Sequence, residues 1–510
     1  MMGKRSAQDK LFAADQIYLD FVGRDTLYGY MAQNREQLFR DEDFAALYCP
    51  NHGRQSVPPS LAVSLLFLRA YEGVNFGEAV ERTKYDLRWK VALDWRWKRA
   101  HAEEPLQEFE AKLVLHEMEE PILKKSIAEA RRAGYLKNRK IRVALDTTPI
   151  LGKGAVKDTY NLLGEGIEIL GKRLAEVEKE EVTAWAQRQG FSRYFGSSLK
   201  GEAAIEWDDK AQREQLLTEI VQDGRRLLNL AEQMKQQHPA QAEAIATDAA
   251  LLRRLIAQDV EEKPEGGCQV KSGTAQDRVI SVHDPEMRHG RKSASKRFNG
   301  HKAAVAVERD SQLISAVEVL AGNAGDQEKA LELVQQSERV MAATVVETVG
   351  DCAYEGGPTR QGFAEEERIL TAKVPACHNR DCFSKSEFGI DLDQMEVRCP
   401  AGQSTRDYRS GAEGRGGHFL FAKATCQACP LRTQCVRGQG PRSITIQAEE
   451  RLQQQARAHN QTEAGRQSLH ERVVVEHRIL RLVGLGIRKS RYFGRKKTRW
   501  QGVMAAWRRT

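Results

Sequence analysis

One short stretch limits what this chain can fold into more than any other. In residues 141–150, Ile141, Val143 and Leu145 alternate with Arg142, Ala144 and Asp146, the period-two pattern of a strand with one buried face. Thr147, Thr148 and Pro149 follow at once. Proline cannot donate to a sheet ladder, so the strand is expected to stop just past Asp146 and leave its carboxylate at a sheet edge facing a crevice. Alone, Asp146 reads equally as the start of a turn. A second strand-like run, 344–349, ends in Gly350 and Asp351, and Glu476 lies far downstream inside a helical pattern. Two strand-end aspartates and a helix glutamate form the donor set that a site holding two divalent cations for phosphoryl transfer needs.

The chain has 510 residues, enough for three or four units. Lys plus Arg number 79 against 71 for Asp plus Glu, giving a net charge of +8. That mild excess points to a polyanionic partner only where it is clustered. It is clustered: nine basic residues and no acid lie in 488–510, and six with no acid in 288–302. Within them Arg291, Lys292, Lys296, Arg297, Lys302, Arg488, Lys489, Arg491, Arg495, Lys496 and Lys497 are candidate phosphate contacts, although a solvated surface face gives the same composition. No apolar run behind the N-terminal residues resembles a signal peptide, and the longest apolar stretch, 61–68, is far too short to span a bilayer. A cytoplasmic, nucleoid-associated protein is expected. Nine cysteines in such a chain favour reduced thiols or metal ligands over disulfides.

Along the chain, residues 1–135 read as a helical domain for DNA binding or assembly. Pro58-Pro59-Ser60 opens one helix, Asn75 caps the next, and Arg82, Lys84, Arg88 and Lys90 interleave with Trp89, Trp95 and Trp97. Residues 136–154 carry the first core strand, and 155–277 a helical insertion ending in the loop Lys263-Pro-Glu-Gly-Gly267. Residues 278–374 read as hairpin, helix and two further strands, 375–447 as a Cys-rich insertion, and 448–510 as a last core helix with a basic tail. The order of strands and helices predicts a mixed α/β fold with the sheet of an RNase H-like domain. His283, Asp284 and His289 read as a loop rather than a metal site, because Asp-Pro starts turns and the basic run after it suits phosphate better. Cys399, Cys426, Cys429 and Cys435 have the spacing of a small zinc module, with Cys377 and Cys382 as alternative ligands or bystanders.

Several motifs carry a resemblance to a known family. Asp146-Thr-Thr-Pro-Ile, the run His283-Asp-Pro-Glu-Met-Arg-His-Gly290 ahead of Phe298-Asn-Gly-His-Lys302, and Gly350-Asp-Cys-Ala-Tyr354 resemble the DDE transposases of bacterial insertion sequences. Residues 58–95 are similar to the helical domain that precedes the catalytic core in those enzymes. The resemblance implies cleavage of double-stranded DNA at the element's terminal inverted repeats, joining of the freed 3′ hydroxyls to target DNA, and a homodimer in the assembled complex. It also implies Asp146, Asp351 and Glu476 as ligands of two Mg²⁺ or Mn²⁺ ions, with Arg472 as a phosphate-neutralising catalytic partner. The family's last helix often carries Tyr, Arg, Glu and Lys at fixed spacing. Here Arg472 and Glu476 match, whereas Leu469 and Val483 stand at the Tyr and Lys positions, leaving Arg488, Lys489 or Lys496 to substitute. The rival expectations are a nuclease that cuts without joining and a DNA-binding regulator derived from a transposase.

The choice of Glu476 over Glu463 and Glu471 rests on position. Leu469, Val473, Glu476, Leu480 and Val483 fall on one helical stripe, which predicts that Glu476 sits in the apolar seam packed on the sheet. A carboxylate buried there needs a compensating cation.

Overall fold

The computed structural model describes residues 1–4, 13–94, 103–411 and 415–508, so Trp95, Trp97 and Arg509 lie outside the described residues. Six strands form a central mixed sheet: β1 (Lys140–Leu151), β2 (Arg288–Arg291), β3 (Arg297–Glu308), β4 (Ile314–Ala321), β5 (Thr344–Gly350) and β6 (Leu370–Ala372). Across the sheet the order is β4, β3, β1, β5, β6, and β2 pairs with the start of β3. This is the mixed α/β arrangement of an RNase H-like core. Ala303 to Val307 on β3 are all buried, as expected of a central strand covered on both faces. The covering helices are Ala330–Met341, through Leu333, Val334 and Val340, and Val473–Gly484, through Val474, Val475, Ile479 and Leu482.

β1 does not stop after Asp146. It pairs antiparallel with β3 from Val143, opposite Glu308, to Leu151, opposite Gly300, but parallel with β5 only as far as Ala144, opposite Val349. Pro149 shares the parity of Leu151, whose N–H points away from β3 to the Arg488 carbonyl at 2.7 Å. On that side β5 has already ended, so proline's missing N–H leaves no ladder bond unmade. Proline ends a strand that is paired on both sides; here one side is open.

Of His283, Asp284 and His289, read from the sequence as a loop, His289 lies in a strand. Arg288–Arg291 is strand β2, and Arg291, Lys292, Lys296 and Arg297 crowd the exposed tip of the β2–β3 hairpin. The loop at 263–267 proves to be the turn of a second small hairpin, Val260–Glu262 with Cys268–Val270.

Three satellite cores surround the sheet. The insertion packs helices Thr159–Glu178, Lys210–Gln237 and Ala242–Asp259 around buried Trp185, Leu217 and Leu252. The Cys-rich segment builds two three-stranded sheets around Phe388, Val397, Phe419 and Ile444. In the N-terminal region, helix Pro59–Glu72 ends at Gly73 in a left-handed cap, and the Asn75 side chain accepts the Glu78 N–H at 2.8 Å to start Phe76–Tyr85.

The expected basic tail is the main departure. Residues Arg495–Trp507 form a helix that buries Trp500, Met504 and Trp507 in the N-terminal core and Val503, Ala505 and Ala506 in the sheet core. Its cations are largely committed: Arg495 pairs with Glu286 at 3.0 Å, Lys496 with Glu117 at 3.1 Å and Arg499 with Glu318 at 2.9 Å. Composition counts charges without saying which face they occupy, and here the opposite face is apolar. Trp500 also donates its indole N–H to Glu110 at 2.9 Å. Trp500→Ala is therefore expected to cost about 3–5 kcal/mol and Trp500→Phe about 1–3 kcal/mol in urea unfolding. Changes within about 0.5 kcal/mol, as for a loose surface segment, would contradict this packing.

Candidate active site

The site forms where the parallel pairing of β1 with β5 ends. Asp146 extends past the last β1–β5 pair, and its Oδ1 accepts the Thr147 N–H at 2.7 Å. Asp351 follows the last residue of β5 and accepts the Ala353 N–H at 2.8 Å, capping the tight turn Cys352–Tyr354. Gly350 has a specific reason to lack a side chain, since a Cβ there would lie 2.7 Å from Cγ and Cδ2 of Tyr354. The close approach at Gly350 is thus made by the Tyr354 ring.

Two helices in succession bring the third acid. Glu463–Glu471 is tied to the sheet by the Ser468 hydroxyl, which donates to Glu347 on β5 at 3.0 Å, while Thr371 on β6 donates to the same carboxylate at 2.6 Å. Arg472 stands at the junction with Val473–Gly484. Its guanidinium lies 3.5 Å from Asp146 Oδ2 and hydrogen-bonds Glu476 one turn on. Glu471 instead pairs with Arg309 and accepts from Gln467 Nε2 at 2.7 Å.

The position of Glu476 differs from the expected apolar seam. The buried stripe is Val474, Val475, Ile479 and Leu482, and Val473 and Leu480 are exposed. Glu476 sits at the edge of the helix with its side chain about half exposed. Both stripes of this helix are apolar, and periodicity alone does not say which one turns inward. Position at the helix edge, beside Arg472, replaces burial as the reason for the compensated charge.

Asp146 is the perturbed member of the group. Burial, with the negative charges of Asp351 and Glu476, pushes its carboxyl up to about 6 against the opposing Thr147 N–H and Arg472. Arg472 supplies the positive charge between two acids that would otherwise face each other. Among the described residues, no group of three or more His, Cys, Asp or Glu stands in an arrangement that could hold a metal ion.

The other expected site residues divide clearly. Arg488, Lys489, Arg491 and Lys497 are exposed, and Lys489 bridges to Leu151 along the open edge of β1. Lys302 is instead held by Asp326 and the Ala324 carbonyl, both at 2.7 Å, and Arg495 and Lys496 are paired as described. Lys496 therefore does not reach the sheet end, whereas Arg488 and Lys489 lie along it. Asp284 and His301, both fully buried, pair at 3.2 Å, and His289 faces Asn299. Cys399, Cys426, Cys429 and Cys435 line one small pocket with Phe421 and Arg442; Cys377 and Cys382 do not line it. Burial and the neighbouring cysteines push the Cys435 thiol up. Sequence reading passed over Tyr354 and Asp326 as site residues; the signal for Tyr354 was its place three residues after the strand-end Asp351.

Sheet order, strand-end acids and a following helix that carries Glu476 define a protein of the RNase H-like class. A model described as a transposase DDE domain matches residues 398–507, spanning the Cys-rich segment, Arg472 and Glu476, and a transposase domain model (DUF772) matches residues 18–101 in the N-terminal helices. Together these matches support a DDE transposase of an insertion sequence. No curated protein and no solved structure matches the chain.

A carboxyl whose folded pKa is raised stabilises the fold below its unfolded value of about 3.9, and that contribution is lost as pH rises through about 6. Metal-free Asp146→Asn is therefore expected to be more stable than the parent near pH 7.5, by up to about 3 kcal/mol, with the gain shrinking toward pH 4. A difference in thermal unfolding that is the same at every pH would contradict this electrostatic account.

Proposed function

We propose that this chain is a transposase that cleaves the ends of an insertion sequence and joins the 3′ hydroxyls to target DNA, acting at the nucleoid as a homodimer that holds two ends. The observation that carries the reading is the placement of Asp146 just past the last β1–β5 pair and of Asp351 just past β5, with Arg472 between Asp146 and Glu476. Three hard oxygen donors on neighbouring elements suit Mg²⁺ or Mn²⁺, and the raised carboxyl of Asp146 fits a site whose full complement of positive charge includes bound cations. When bound, two such ions activate water or a 3′ hydroxyl and stabilise the leaving oxygen.

The chain's own residues supply position and charge. Asp146, Asp351 and Glu476 are the residues that would hold the cations. Arg472, beside Asp146 and Glu476, would offer its guanidinium to a nonbridging phosphate oxygen. Exposed Arg488, Lys489 and Arg491 extend from this end beside β1, and the hairpin tip Arg291–Arg297 lies beyond the end of β1 on the neighbouring strand. Both patches lie toward the Leu151 end of β1 and suit contacts to the phosphates of a duplex. Cys399, Cys426, Cys429 and Cys435 offer four sulfur donors to a structural Zn²⁺, which would stabilise a segment whose own core is small.

Glu476→Gln should remain folded and bind terminal DNA but lose cleavage and joining with Mg²⁺ or Mn²⁺ by a factor on the order of 10²–10³, whereas Glu471→Gln should retain both. Near-normal cleavage by the first variant and loss in the second would assign the wrong acid. Cutting without strand transfer by the parent protein on paired-end DNA would make it a nuclease. Protein purified without chelator is expected to carry about one Zn²⁺ per chain, released by Cys426→Ser; metal analysis that finds none removes the zinc assignment.

A further inference from the structure

The turn that leads into helix Arg495–Trp507 is anchored on every side of Phe493. Ser490 donates its N–H to the Leu151 carbonyl at 2.8 Å, and its hydroxyl meets that of Thr498 at 2.8 Å. The Arg491 N–H donates to the Gln501 side chain at 2.8 Å, the Tyr492 hydroxyl to Glu110 at 3.2 Å, and the Arg495 N–H to Glu286 at 2.7 Å. Gly494 has a φ of 82°, a conformation that L side chains rarely adopt. The backbone around Phe493 is therefore fixed, yet its ring is 43 % exposed.

The surroundings of the ring are cationic. The Lys153 ammonium lies over it, 4.8 Å from the centroid, and the exposed His283 ring stands 6.4 Å away. Arg488, Lys489 and Arg491 are exposed just before it in the chain, and half-exposed Leu151 is bridged to Lys489. Glu286, the acid beside Gly494, is already held by Arg495. A lone exposed apolar side chain means little. Here the ring is held by the hydrogen bonds of its neighbours rather than by packing, and it is rimmed by positive charge. Such preorganisation lowers the cost of binding.

Phosphates satisfy the cations but gain nothing from a phenyl ring. A nucleobase does, because every base has a π-face. Inside a duplex those faces are covered by neighbouring pairs, so the base that suits Phe493 is an unpaired one. Lys153 gives up little in turning to a phosphate, since a cation–ring contact at an exposed site is weak. Leu151 lies five residues past Asp146 on β1, about 17 Å at about 3.4 Å per residue. The contact is thus remote from the acids and concerns the grip on DNA rather than the chemistry.

We propose that Phe493 is a stacking platform for an unpaired base of bound DNA, with Lys153, Lys489 and Arg491 on the phosphates beside it. This rests on the reading of the chain as a transposase whose basic edge meets DNA. It requires no metal.

The test uses the full-length protein in chelator, so that nothing is cut, and follows binding by fluorescence anisotropy. Two duplexes share one arbitrary sequence, one fully paired and one with a short central bubble of mismatches. The parent is expected to bind the bubble about 10-fold more tightly, the size of one base–aromatic stack. Phe493→Ala should abolish that preference while binding the paired duplex within about twofold of the parent, and Phe493→Trp should keep it. A parent without the preference, an alanine variant that retains it, or a tryptophan variant that loses it overturns the proposal. An alanine variant that melts several degrees lower and loses both DNAs alike also overturns it, by making the ring structural. The double variant Arg488→Ala, Lys489→Ala tests the reading beneath and should weaken binding of both DNAs equally. If it does so while Phe493→Ala keeps the preference, the DNA-facing edge stands and the Phe493 role falls. If it weakens neither, that edge is wrongly placed and this inference falls with it.

Discussion

Acids brought together where water is scarce repel one another, and the arrangement persists only where a positive charge lies between them. Arg472 is that charge. It stands at the junction of two helices, so the anchoring of the first helix to the sheet through Ser468 and Glu347 decides where the guanidinium sits. Glu471 and Arg309 fix the same junction from the other side. The geometry of the site therefore depends on polar contacts well outside it, and the acids need only project from elements already held in place.

The open edge of β1 has a similar role. Because β5 stops at Gly350 while β1 continues to Leu151, one side of β1 is free beyond the acids. The segment after the Glu476 helix fills that side through Leu151, Arg488 and Ser490, setting basic side chains in line with the strand that carries Asp146. A proline in β1 is compatible with this design because its missing donor falls on the side that carries no regular ladder.

Much of the sheet was legible from residue order. The alternation at 141–145, the apolar run on β3 and the short strand before Asp351 each state their own period, and periodicity survives whatever packs on it. The helix of Glu476 was harder, since Val473, Leu480 and Val483 make as good a stripe as Val474, Val475 and Ile479, and only the sheet chooses between them. The last helix was misread for a related reason: its cations dominate the composition, although Trp500, Met504 and Trp507 determine its place. The short strands of the Cys-rich segment leave little pattern, because two to four residues cannot display a period. Partner choice was invisible throughout. Nothing in the sequence says that Lys302 is taken by Asp326, or that the Tyr354 hydroxyl has no hydrogen-bond partner among the described residues.

The burial of helix Arg495–Trp507 between the N-terminal helices and the sheet bears on how the molecule is made. Trp500, Met504 and Trp507 complete a core whose other members lie within residues 31–122. Vectorial synthesis therefore leaves the first-made region with an open apolar face until nearly four hundred further residues have been translated. A ribosome that stalls after Glu476 releases a polypeptide with every acid of the site and no closed N-terminal core. Such a fragment exposes the apolar surface that helix Arg495–Trp507 covers, and surface of that kind is what chaperones and proteases engage.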